Sequence, residues 1–319
     1  MADARSIHSV KALLEGVRRS GHVSGVAAPG CVVYLAHPFE TLDVADYEAK
    51  ALGALGAAIP DLERRVTIEM AGMDAQGQLW VGHCGYWCGR FEAAFLGIPP
   101  TGRMVAMRFH EFFRVEAGRV VEMQALWDIP EVMMQAGVWP LSPSLGREWQ
   151  VPGPATQDGL RVSGDGTAAR QVVGDMLAAL GHDPSGTPAE VLARYWRTDC
   201  SWYGPSGIGT ARGIEGFRAH HQAPFLTAMP DRRALMDRGH LFAEGDYVGF
   251  TAWPGMRVTL TGGGWLGLPA TGARLDMRSL DFWRVEGGKI AENWVLVDLL
   301  HVYQQLGVDV LARMRALLP

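Results

Sequence analysis

A chain that repeats itself must fold into something that repeats. The segment GIPPTGRMVAMRFHEFFRVEAGRVVEMQALWDIPEVMMQAGV, starting at Gly97, aligns without a gap on GLPATGARLDMRSLDFWRVEGGKIAENWVLVDLLHVYQQLGV, starting at Gly267, and 18 of the 42 positions are identical. The same offset of 170 residues pairs Pro60-Asp61 with Pro230-Asp231. One register held over that length marks a gene duplication. A chain of 319 residues also has the length of two average domains. Between the copies, a stretch from about Pro140 to Thr167 is dense in Pro, Gly and Ser without sustained periodicity, as an interdomain connection is. The expected division is a first domain at 1–146, a linker at 147–166 and a second domain at 167–319.

Several classes of function are disfavoured. The net charge of −5 is spread along the chain with no basic run, which argues against nucleic acid or an anionic membrane as partner. The start MADARSIHSV lacks the charged-then-apolar build of a signal peptide, and the longest apolar stretch, around Ala51 to Pro60, is too short to span a bilayer. A soluble, cytoplasmic protein with no membrane partner is expected. Four cysteines in such a chain give no disulfide framework and are expected reduced and mostly buried.

Within each copy helices come first and strands afterward. In the second, Ala168–Leu180, Pro188–Arg197 and Ile214–Met229 read as helices. Period-two strands follow around His240–Phe242, Tyr247–Trp253, Met256–Leu260, Arg274–Val285 and Lys289–Val297. Glu286-Gly287-Gly288 closes the last pair as a hairpin, as Glu116-Ala117-Gly118 does in the first copy. This order predicts α+β with a twisted, mostly antiparallel sheet, not βαβ.

Alternation along the last two strands places carboxylates among apolar neighbours. Leu275, Met277, Asp281, Trp283 and Val285 share one face, as do Val105, Met107, Phe109, Glu111, Phe113 and Val115 in the first copy. On the next strand Ile290, Trp294, Leu296 and Asp298 line up, with Asp128 the counterpart of Asp298. A carboxyl in such surroundings has its charged form disfavoured and its pKa raised, as proton transfer next to a carbonyl near neutral pH requires. Asp298 ranks ahead of Asp281 as the expected acid/base group, with Asp128 and Glu111 in the same places of the first copy. The alternative is that Asp298 and Asp128 only cap the helices they precede; Asp128-Ile129-Pro130-Glu131 is a capping-box pattern with Pro in the first turn.

Other signals are weaker. His83, Cys84 and Cys88 suggest a metal, but on a strand the two sulfurs stand roughly 13 Å apart, so no metal site is expected. His220-His221 could line a pocket mouth. Gly207-Ile208-Gly209 has the wrong spacing and context for a dinucleotide loop. No G-x-S-x-G or H-E-x-x-H occurs.

Gly267-Leu268-Pro269-Ala270-Thr271-Gly272, Asp281-Phe282-Trp283-Arg284 and Gly288-Lys289-Ile290-Ala291-Glu292-Asn293-Trp294, followed by Asp298 and Gln304-Gln305-Leu306-Gly307, resemble the SnoaL-like polyketide cyclase family of the NTF2-like, or cystatin-like, superfamily. The likeness covers about Pro188 to Val308 and, more faintly, Gly30 to Val138. It implies two NTF2-like domains, each a curved sheet wrapped around helices with a conical pocket, and a cofactor-free aldol cyclisation or isomerisation of a hydrophobic carbonyl compound. The family's acid/base residue on the last strand carries over onto Asp298 and Asp128. Trp294, Trp283, Asn293, His221 and Trp202 are the expected substrate-binding residues, and no cofactor is expected. Single-domain relatives commonly pair through their sheets, which implies that the two halves pack as an internal pseudo-dimer; a homodimer is a further expectation. Asn293 stands before Trp294 where family members often have His, and the first copy has Met123-Gln124 there; the first copy also has His37-Pro38-Phe39 in place of the Gly-rich loop at Gly204 to Gly207, so the second copy is the better candidate for a working pocket. The competing expectation is a non-catalytic small-molecule-binding or scaffold protein whose aspartates only cap helices.

Overall fold

A computed structural model describes residues 4–181 and 184–318. The chain divides into two compact units. The first comprises Met1–Pro140, Gly153–Val162 and Val308–Pro319; the second comprises Leu141–Pro152 and Ser163–Gly307. The Pro/Gly/Ser-rich connection is therefore shared between the units. Gly146 N donates to Ile208 O at 2.8 Å in the second unit, and Glu69 N donates to Gly159 O at 2.8 Å in the first.

The first unit opens with α1 (Ala4–Leu13) and α2 (Glu15–Ser20), then β1 (Ala27–Leu35) and β2 (Glu40–Asp43). Next, α3 (Val44–Asp46) runs through a π-turn at Tyr47–Leu52 into α4 (Gly53–Ala58). Four long strands follow, β3 (Glu63–Met73), β4 (Leu79–Arg90), β5 (Met104–Glu116) and β6 (Arg119–Trp127), and then α5 (Ile129–Gln135). The sheet order is β2-β1-β6-β5-β4-β3, with only the β1/β6 pair parallel.

The second unit repeats this plan. It has α6 (Thr167–Ala179), α7 (Ala189–Tyr195), β7 (Trp196–Tyr203) and β8 (Thr210–Arg212), then α8 (Gly213–Phe217), a π-turn at Arg218–Gln222 and α9 (Ala223–Ala228). Its later strands are β9 (Arg233–Ala234), β10 (Gly239–Glu244), β11 (Tyr247–Thr259), β12 (Arg274–Glu286) and β13 (Lys289–Val297), closed by α10 (Leu299–Gln305). The order β10-β11-β12-β13-β7-β8, with β9 also on β11, matches the first sheet strand for strand. The last helix, α11 (Val310–Leu317), belongs to the first unit, where Arg315 lies against Gly97.

Each unit is an α+β, NTF2-like domain, a mixed sheet curved over helices. The two strands expected at Tyr247–Trp253 and Met256–Leu260 are one strand, β11, whose register against β12 shifts between Ala252 and Met256. Both final hairpins close on a two-residue turn with positive φ at each position: 47° at Ala117 and 72° at Gly118, 58° at Gly287 and 74° at Gly288. That geometry matches the twist of the paired strands.

Candidate functional site

Strand alternation sets the floor of the site. Ser279, Asp281 and Trp283 project from one face of β12, opposite Val297, Val295 and Asn293 of β13 respectively. All six line a cavity of about 150 Å³. Met256 and Met277 add apolar wall, Trp202 comes from β7, and Phe217, His221 and Phe225 descend from the α8–α9 helix. His221 enters through the π-turn at Arg218–Gln222, the same point at which the first unit has its π-turn; such single turns re-aim side chains out of helical register.

The electrostatics follow from this burial. Desolvation pushes the Asp281 carboxyl up to about 8, against hydrogen bonds from Ser279 and Asn293 that pull it down. Among the described residues no cation forms an ion pair with it. His221 stacks on Trp202 with ring centroids 4.2 Å apart and lies beside Phe217 and Phe225. Burial, reinforced by the positive charge of Arg232, lowers its pKa to about 3, so the imidazole is neutral near pH 7. Buried polar atoms are nearly always hydrogen-bonded. Yet Trp283 Nε1, His221 Nδ1, Trp196 Nε1, Gln222 Oε1 and Arg232 Nε find no partner among the described residues, and all five side chains line this one cavity.

Of the residues singled out from sequence, Asp281, Trp283, Asn293, His221 and Trp202 meet around the cavity, whereas Asp298 and Trp294 do not. Asp298 is the N-cap of α10, accepting from His301 N at 3.2 Å, and its other oxygen pairs with Arg278 Nη1 at 3.1 Å. Trp294 donates through Nε1 to Pro152 O at 2.9 Å and packs on Tyr203. The expected order of Asp298 before Asp281 is thus reversed in position. β13 is buried on both faces, so alternation could not say which row meets the cavity; the odd-numbered row does, and Asp298 continues the even one.

In the first unit the corresponding space is filled. Glu111 forms a fully buried ion pair with Arg64, and Trp127 Nε1 donates to its other oxygen at 3.1 Å. The Arg64 guanidinium lies 4.3 Å from the Phe109 ring centroid and 5.4 Å from that of Trp87. Register places Ala234 and Met256 where Arg64 and Trp87 stand. It also matches Ser279 to Phe109, since each pairs with the residue that closes the following strand, and Asn293 to Met123. Asp128 sits at the start of α5 without a side-chain capping bond, 3.5 Å from Arg108 Nη2. The expected capping box is absent because Glu131 instead accepts from Arg108 N at 2.6 Å.

Sequence reasoning missed Ser279 and Arg232. Ser279 lies on the same alternating row as Asp281 and was legible there. Arg232 follows a turn after α9, where no periodicity points inward. His83, Cys84 and Cys88 are buried on β4, and among the described residues no group of three or more His, Cys, Asp or Glu side chains is gathered closely enough to hold a metal ion.

A duplicated NTF2-like domain with one open and one filled interior is the class that fold and site define. The family model for SnoaL-like polyketide cyclase matches residues 22–136 and again 178–306, and the chain belongs to that family. Among solved structures, TsrD from Streptomyces laurentii is 27% identical over 46% of this chain and 98% of its own, with a TM-score of 0.34. AclR from Streptomyces galilaeus is 26% identical over 43% of this chain and 87% of its own, at 0.36. IdmH from Streptomyces antibioticus is 24% identical over 41% and 97%, at 0.34. The chain matches no curated protein. No helix among the described residues is long and apolar enough to cross a membrane.

Proposed function

We propose that the second unit performs acid/base chemistry on a hydrophobic carbonyl compound, of the aldol-cyclisation or isomerisation type, with Asp281 moving the proton. The observation that carries this is a carboxyl buried in a mostly apolar cavity without an opposing cation, which burial holds near pKa 8. Such a carboxylate, once ionised, is a far stronger base than one in water and is matched to carbon acids flanked by carbonyls.

In the cyclisation, ionised Asp281 takes a proton from the carbon beside one carbonyl. The resulting enolate carbon attacks a second carbonyl of the same molecule, forming the carbon–carbon bond, and the neutral Asp281 returns its proton to the new alkoxide. Trp283 Nε1, a donor without a partner among the described residues, lines the same cavity and is suited to the oxygen on which charge develops. Ser279 and Asn293 face the carboxyl in the cavity and hold its pKa below what burial alone would give. The apolar walls, with Met256, Met277 and Trp202, favour a hydrophobic substrate.

For the first unit the filled interior supports a non-catalytic, scaffold role, since Arg64, Trp87 and Trp127 occupy the space a substrate needs. The test is turnover of hydrophobic 1,3-dicarbonyl compounds by paired variants. Asp281→Asn is expected to lower turnover by roughly 10²- to 10⁴-fold, while Asp298→Asn retains it. Turnover by Asp281→Asn at the wild-type rate would sink the acid/base role.

A further inference from the structure

Among the cavity groups that the proton transfer leaves unused, Arg232 carries a charge. It lines the cavity with Asp281 and His221, its Nε is buried, and no described residue accepts a hydrogen bond from its side chain. Carboxylates nearby in sequence and sheet are committed elsewhere. Asp231 accepts from Thr259 N at 2.7 Å and from its hydroxyl at 2.6 Å, and Asp276 pairs with Arg257 at 2.6 Å. Partial burial lowers the Arg232 pKa, and no counter-charge among the described residues offsets the lost hydration. His221 feels this charge and stays neutral, so it supplies no compensation either.

We infer that the cavity takes a compact hydrophobic keto acid, about one ring in size, whose anionic oxygen group is held by Arg232 while its carbonyl faces Asp281. The carbonyl end rests on the acid/base reading above; the anionic end rests on Arg232 alone. Three observations agree with this substrate class. An apolar space of about 150 Å³ holds roughly one benzene-sized ring, which is small for a ligand pocket. Asp281, neutral near pH 7, does not repel an entering anion. His221 Nδ1, without a partner among the described residues, borders the same cavity as Arg232 and donates to an anionic oxygen in the tautomer that protonates it.

The test uses the full chain and two probes of nearly equal shape, benzoylformate and its uncharged amide, with binding measured calorimetrically at neutral pH. Wild type is expected to bind the acid at least about tenfold tighter than the amide, a preference of about 1.4 kcal/mol. Arg232→Gln should erase that preference without weakening the amide, and Arg232→Lys should keep part of it. Thermal melting of both variants separates a lost contact from a lost fold. Equal affinity of wild type for the two probes, no saturable binding of either at millimolar concentration, or an unchanged preference in Arg232→Gln would each overturn the inference. Because the readout is binding, it is independent of turnover. An acid preference in Asp281→Asn beside unimpaired catalysis would leave the anion site standing and remove only the catalytic role of Asp281.

Discussion

Arg64 and Ala234 hold the same register position in their two sheets, Arg64 opposite Trp87 and Ala234 opposite Met256. In one unit the long side chain reaches the interior carboxylate and neutralises it; in the other a methyl group leaves the space open and Asp281 without a cation. Two copies of one fold thus carry opposite interiors, and each makes its own demands on stability.

Asp281 should oppose folding at the pH where it works. Its pKa is raised to about 8 in the folded chain, from the ordinary 3.8 of an aspartate in water. Below the unfolded pKa both states are protonated and the group has no effect. As pH rises toward 8 the unfolded state alone loses the proton, so stability falls across that window and levels off above it. Asp281→Asn is expected to be more stable than wild type at pH 7–8, by on the order of a few kcal/mol, and so to melt at a higher temperature, and to converge with it near pH 4. Melting curves across that range check this; a variant less stable at pH 8 contradicts it.

The same pKa sets the pH dependence of catalysis. With Asp281 as the base of the first step, kcat/KM should rise about tenfold per pH unit below 8 and reach a plateau above it. A profile that falls through pH 8 would assign Asp281 the acid role instead.

Asp298 caps α10 and pairs with Arg278. Asn can keep the cap but not the charge, so Asp298→Asn is expected to lose about 1–2 kcal/mol in chemical denaturation, much of it from the less solvated Arg278. Turnover per folded molecule should stay within a few-fold of wild type.

In the first unit, Glu111→Gln strands the fully buried Arg64 charge and should destabilise by about 3–5 kcal/mol. Replacing both partners, as Arg64→Met with Glu111→Leu, should cost less than the single change, and neither should alter ligand binding in the second unit.

Ala117 carries a φ of 47° at the turn position where the second unit has Gly287. Ala117→Gly is expected to stabilise by about 1 kcal/mol, because the left-handed region penalises a Cβ. Denaturant midpoints measure it.

The repeat made the fold legible, since an ungapped match forces both copies into one topology. Half of the site was legible as well. Asp281 and Trp283 fall on a row whose mixture of Met, Asp and Trp, opposite a row of Arg and Asp, distinguished inside from outside on β12. β13 has no polar face to read, as KIAENWVLV is covered on both sides in all but its end residues, so Trp294 and Asp298 were assigned to the cavity one residue out of phase. The filling of the first unit was out of reach for another reason. Arg64 sits on a strand reading ERRVTIEM, where an arginine is normally solvent-facing, and nothing local says that it turns inward to meet a residue 47 positions away.

The placement of α11 has a practical corollary for anyone dissecting this protein. Because Val310–Leu317 completes the N-terminal unit, no single scission of the backbone liberates that half intact, whereas a cut just before Leu141 leaves every residue of the C-terminal one on a single fragment. A fragment ending near residue 146 would lack its closing helix, and a fragment starting near 167 would lack the segment whose Pro152 carbonyl receives the Trp294 indole. The first half thus needs a piece of chain encoded beyond its twin, so the two cannot be parted by shortening the chain from one end.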